Sequence, residues 1–136
     1  YAVPDLAAVE CAYAGVQGYR VLARGRLEAA LADAWDAPAC ARRPILTLAP
    51  ARGEDCVLRF VESPAAVGWQ ALRTHGWNAT EFVVEDVDAL AARLRDSPFR
   101  EIGPPTSLMR FPMIRAMQAL GPFGECLYFT QVGPGS

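Results

Sequence analysis

Phe82-Val-Val-Glu-Asp86-Val-Asp-Ala-Leu90 decides the reading of this chain, because its pattern already stands at the start as Tyr1-Ala-Val-Pro-Asp5-Leu-Ala-Ala-Val9, 81 residues earlier. Each stretch is a short apolar strand that runs into an Asp. An Asp ahead of a helical pattern can accept from the N–H groups left over in the first turn, so Asp5 and Asp86 read as N-caps. Behind them Leu6, Val9 and Tyr13, and in the second copy Val87, Leu90 and Leu94, recur at helical spacing. Working outward, an aromatic–Arg pair follows each helix, Tyr19-Arg20 and Phe99-Arg100, at an offset of 80. Farther on, Leu58-Arg59-Phe60-Val61-Glu62 lies over Leu127-Tyr128-Phe129-Thr130-Gln131 at an offset of 69. Matches in the same order at three points mark an internal repeat rather than two chance amphipathic segments.

The stretches between these anchors fill in two strand–helix–strand–strand–strand modules. In the first, residues 19–24, 43–49 and 56–62 read as strands, and 50–55 as a turn. Residues 26–35 are rich in helix formers, with Leu27, Leu31 and Trp35 on one face, and Pro38 stops that helix. Residues 64–77 are a connector that packs aromatics. In the second module the spacing predicts strands at 78–85, 99–103, 113–120 and 125–132. Pro98 ends the helix that Asp86 begins. Pro104-Pro105 through Pro112 reads as a loop or an irregular edge. The fold class is therefore α+β: a single domain over 1–136, with a first module at 1–63, the connector at 64–77 and a second module at 78–133.

Composition narrows the chemistry. The chain has 136 residues, 52% hydrophobic and 21% charged, which suits a soluble domain with a core of its own. A net charge of −2 gives no electrostatic reason to expect nucleic acid or an anionic membrane. No apolar run has the length of a membrane span. All 13 basic residues are Arg, which excludes a Schiff-base or phosphate-loop lysine. The single histidine, His75, excludes any metal site that needs two histidines from one chain. It is also the side chain that titrates near neutrality unaided, and so the default acid–base candidate. Cys11, Cys40, Cys56 and Cys126 show no C-x-x-C spacing, and reduced thiols in a cytoplasmic protein are expected. No signal-peptide pattern is visible. Because the chain opens on Tyr1 within a strand, a few preceding strand residues are expected to be missing. Asn78-Ala79-Thr80 fits a glycosylation sequon by chance.

The paired modules, with Val-Glu-Asp-Val-Asp-Ala-Leu at 84–90 opening the second helix, resemble the vicinal oxygen chelate superfamily of glyoxalase I, bleomycin-resistance proteins and extradiol dioxygenases. Gly121-Pro122-Phe123-Gly124-Glu125 stands where that family commonly has Asp-Pro-Asp-Gly-Asn before its last strand. The resemblance covers almost the whole chain. It implies one curved mixed sheet, a bowl, with helices on its outer face, and it implies a homodimer. In metal-dependent members it implies His, Glu or Gln at four strand positions that point into the bowl. Carried over one at a time, the first position falls before Tyr1, the second near Arg59, the third on Ala79 and the fourth on Tyr128. Ala79 has no donor atom, Arg59 is a permanent cation, and Tyr128 could ligate only as a phenolate. A register two residues along would offer Glu81 instead. Neither metal nor cofactor is expected.

Strand alternation shows what stands there instead. Leu58, Phe60, Phe82, Val84, Leu127 and Phe129 share one parity and suit packing under helices. The opposite parity carries Val57, Arg59 and Val61, then Ala79, Glu81 and Val83, then Cys126, Tyr128 and Thr130. This mixed face suits a ligand cavity, with Arg59, Glu81, Tyr128 and Thr130 as lining residues. An Arg59–Glu81 pair that merely neutralises itself is the plainer alternative. Met113, Arg115 and Met117 share a parity and are candidates for the same cavity, with core filling as the alternative. His75 and Trp77 in the connector are candidates for a flap over it. The expected function is a metal-free small-molecule-binding protein of the bleomycin-resistance type, holding an aromatic or amphipathic ligand. One alternative is a divalent-metal lyase, isomerase or dioxygenase of the same superfamily. The other is a metal-free enzyme with Glu81 or His75 as base and Arg59 or Tyr128 stabilising an oxyanion.

Overall fold

Two aspartates open two helices with the same backbone. Asp5 (φ −146°, ψ 107°) accepts from the N–H groups of Ala7 and Ala8 at 2.8 and 3.0 Å. Asp86 (φ −146°, ψ 105°) accepts from that of Ala89 at 2.9 Å. The repeat is thus present in the dihedral angles as well as in the letters. The computed structural model describes residues 1–52, 56–65, 67–73, 75 and 78–133. The chain divides into two compact units between Val67 and Gly68.

In the first unit the elements run β1 (Ala2–Val3), α1 (Leu6–Glu10), β2 (Arg20–Arg26), α2 (Ala29–Ala34), β3 (Pro44–Ala49) and β4 (Leu58–Glu62). Helix α1 continues through Cys11–Val16 with wider π-type turns, where the Gln17 N–H reaches back five residues to the Ala12 carbonyl. The sheet order is β1-β4-β3-β2, with β1 parallel to β4 and the other pairs antiparallel. Val9, Ala12 and Tyr13 bury one helix stripe with Leu46, Leu48, Leu58 and Phe60. The Tyr13 and Phe60 rings lie 5.0 Å apart, and Tyr1 stacks on Phe60 at 5.2 Å. Burial pushes the Tyr19 phenol up to about 12, with Cys56 and Tyr1 adding to the effect.

Helix α2 departs from expectation in length and in place. The strand before it runs on to Arg26, opposite Pro44, and Leu27 is 1% exposed in a turn closed by the backbone of Arg42 and Arg43. Ladder bonds and the burial of one leucine outweigh the helix propensity of Arg26 and Leu27. Ala32 and Leu27 then pack on Val61, with Leu31, Cys40, Ala41 and Ile45 around them. Val61 and Phe60 point to opposite faces of β4, so α1 and α2 cover opposite faces of one sheet.

In the second unit β5 (Thr80–Val83), α3 (Val87–Leu94), β6 (Arg100–Ser107), β7 (Ile114–Leu120) and β8 (Cys126–Val132) repeat the plan. The order is β5-β8-β7-β6, with β5 parallel to β8. Strand bonding therefore makes two four-stranded sheets, one per unit, where the resemblance implied one. Helix α3 buries Val87, Leu90, Ala91 and Leu94, and Phe82 stacks on Phe129 at 5.5 Å. Strand β6 runs on through Pro104 and Pro105, which were expected to lie in a loop or irregular edge. The register with β7 shifts between Glu101 and Gly103 and again between Gly103 and Thr106, leaving both prolines outside the paired positions at the sheet's edge. Between β7 and β8 the turn needs Gly121: a Cβ there would lie 2.1 Å from Glu125 Oε1. Glu125 is buried and its Oε2 accepts from the Phe123 N–H at 3.0 Å. Among the described residues no helix is long and apolar enough to cross a membrane.

Candidate functional site

In the first unit β4 presents Arg59 on the face opposite Phe60. Pairing across the sheet sets Arg59 beside Thr47, and Thr47 beside Ala23, as one row over three strands. Thr47 is buried, Arg59 is half-buried, and Ala23 at the end of the row is exposed. The last turn of α2 brings Trp35 over this row. Its ring centroid lies 5.9 Å from the Arg59 guanidinium carbon, within cation–π range. Sequence reading placed Trp35 on one helix face with Leu27 and Leu31; Leu27 is buried, while Trp35 is 46% exposed. The Arg59 Nε is buried and has no hydrogen-bond partner among the described residues. No carboxylate of its own unit, among those described, pairs with Arg59.

In the second unit the parallel register sets Glu81 opposite Tyr128 and Val83 opposite Thr130. All four share one face. Thr130 is 8% exposed, and its hydroxyl donates to Glu81 Oε1 at 2.5 Å. A buried hydroxyl thus fixes one oxygen of an exposed carboxylate. Tyr128 is half-buried between Glu81 and Gln118, and Val83 at the strand end is 76% exposed. So Glu81, Tyr128 and Thr130 are brought together, while Arg59 has its aromatic partner within its own unit.

Five of the expected residues stand off that face, are exposed elsewhere or lie outside the described residues. Met117 pairs with Phe129, shares its face and is 2% exposed in the core under α3. Arg115 is on that same face, where its Nε and Nη2 donate to the two Asp88 oxygens at 2.7 and 2.8 Å. Neither lines the face of Glu81. Strand alternation relates residues within one strand, and only the register with β8 says which parity meets the helix. Met113 is exposed just before β7, and its carbonyl accepts from the Gly133 N–H at 3.0 Å. His75 is exposed, and Trp77 lies outside the described residues. Reasoning from sequence missed Trp35 and Thr47. The parity of Thr47 with Ile45 was available as a signal; the reach of Trp35 was not, since it depends on where α2 sits.

The donor set does not fit the metal centre of metal-dependent members. Arg59 brings a cation to one position, Ala79 no donor to another, and the Glu81 carboxylate is engaged by Thr130. Among the described residues no group of three or more His, Cys, Asp or Glu is placed to hold a metal ion.

No family model and no curated protein matches the chain. Solved structures do. A glyoxalase family protein from Bacillus cereus is 16% identical with a TM-score of 0.71, over 98% of this chain and 91% of that one. A glyoxylase/bleomycin resistance protein/dioxygenase domain from Frankia sp. EAN1pec is 18% identical with a TM-score of 0.71, over 99% and 89%. TnmS3, an antibiotic binding protein from Streptomyces sp. CB03234, is 21% identical with a TM-score of 0.63, over 98% and 93%. With its two βαβββ modules, the chain has the fold of the glyoxalase, bleomycin-resistance and dioxygenase proteins, the vicinal oxygen chelate fold.

Proposed function

We propose that this protein binds a small molecule without a metal, holding an aromatic or amphipathic ligand on the polar sheet faces of its modules. The observation that carries this reading is the chemistry of those faces. The chain has Arg59 beside an exposed indole on one face and a Glu81–Thr130–Tyr128 group on the other, with Arg59, Ala79 and Tyr128 at the positions that the resemblance assigns to metal ligands. Such a set can orient a ligand through a few polar contacts and stack it on aromatic surface. The antibiotic-binding description of TnmS3, of the same fold, supports the reading. The homodimer belongs to the same proposal, and sedimentation velocity tests it.

Metal analysis of the full-length protein after dialysis decides between this reading and its alternative. Less than a tenth of an equivalent of Fe, Mn, Ni or Zn is expected. One equivalent, retained through dialysis, sinks the metal-free reading in favour of a lyase, isomerase or dioxygenase.

A further inference from the structure

We infer a second ligand site on the helix side of the second unit's sheet, between α3 and the edge strand β6, that takes an apolar molecule carrying a single acid group. It is separate from the face of Glu81 and Tyr128 and does not depend on the binding reading above. A cavity of about 550 Å³ opens there, a volume in the range of small-molecule pockets. Leu94 and Phe99, 3% and 5% exposed, are its apolar floor. On the helix side Ala91 adds only a methyl group, and along β6 the register shifts twice, so no large side chain fills the gap. The strand wall is Pro104 and Pro105, and the Thr106 hydroxyl donates to the Pro104 carbonyl at 2.9 Å. Two fixed φ angles and an engaged carbonyl hold this wall in shape before a ligand arrives, which lowers the cost of binding. The same wall has no N–H to donate, so it suits a small molecule and not an extended peptide that pairs with the edge. Charge then selects the ligand. Asp88 lines the cavity, but two nitrogens of Arg115 already hold its carboxylate. Arg95 and Arg100 stand against Glu101 alone, which leaves one positive charge in excess. One carboxylate balances that charge and fits a guanidinium fork. A dianion overshoots it, and an ammonium adds to it.

Two probes of one shape and different charge test this: 1-naphthaleneacetate and 1-naphthaleneacetamide, titrated into the ¹⁵N-labelled full-length protein and followed by amide chemical shifts. Both are expected to move the amides of residues 88–101, and the acid to bind about tenfold more tightly, a modest ratio because both arginines are exposed. Arg95→Gln with Arg100→Gln should remove that preference and leave the amide's affinity in place. Ala91→Leu puts a larger side chain into the cavity and should weaken both probes by about tenfold or more. The wild-type ratio and the place of the shifts need no variant, so a misfolded Ala91→Leu protein leaves the test intact. Shifts confined to the strands of Glu81, Tyr128 or Arg59 overturn this inference and leave the sheet-face reading standing. Equal affinity of acid and amide at 88–101 overturns it, and so does the absence of shifts with either probe.

Discussion

Arg115 grips Asp88 through two nitrogens, and this bidentate hydrogen bond holds the Asp88 carboxyl below its ordinary value of 3.8. The pair is exposed, so its worth is small and screened. Its sign is still definite. A carboxyl whose folded value is depressed contributes stability above the unfolded value, and that contribution drains away as pH falls through the folded one. The gap in Tm between wild type and Asp88→Asn should therefore be constant near neutrality and close below about pH 3.8. A gap that persists unchanged into strong acid would show that Asp88 acts through shape alone, since both the ion pair and the helix dipole need its charge. The same pair explains an error of reading. Arg115 read as a cavity candidate because it shares a strand parity with Met113 and Met117, and nothing local to 113–117 shows that Asp88 waits on the helix above it.

At the scale of elements, both helix starts were legible and one helix extent was not. Asp5 and Asp86 are visible because capping is local: a short acceptor, an extended backbone and a free N–H two or three residues on. Replacing either by Ala should cost about 1 kcal/mol in urea unfolding, and by Asn much less. A cost near zero at one position would mean that packing, not the cap, fixes that helix start. Residues 26–35 were misread because their helix propensity is real but competes with ladder bonds to β3 that cannot be inferred from the segment itself. Strand β6 ran past Pro104 for the opposite reason: an edge strand tolerates missing donors that a central strand would not. In the candidate site, parity placed Glu81, Tyr128 and Thr130 on one face of their sheet and Arg59 on the face opposite Phe60, as the strand registers have them. It could not find Trp35, which belongs to another element and arrives through tertiary packing.

At the scale of the whole molecule, the repeat assigns each half its own sheet and its own core. Phe60 and Phe129 occupy matched positions 69 residues apart, fully buried and each in contact with another aromatic ring. Phe60→Ala and Phe129→Ala should each cost about 3–5 kcal/mol by chemical denaturation. A large difference between them would show that one module relaxes around the cavity and the other does not. The two halves share a plan while their exposed faces have diverged, Arg59 in one standing where Tyr128 stands in the other. One further consequence lies in the prolines of β6. Two successive residues without an N–H interrupt the outer edge of that sheet, so a passing chain finds no continuous row of donors to zip against. Fibril growth by backbone addition is blunted along this edge, and any contact that copies of the protein make there must be written in side chains.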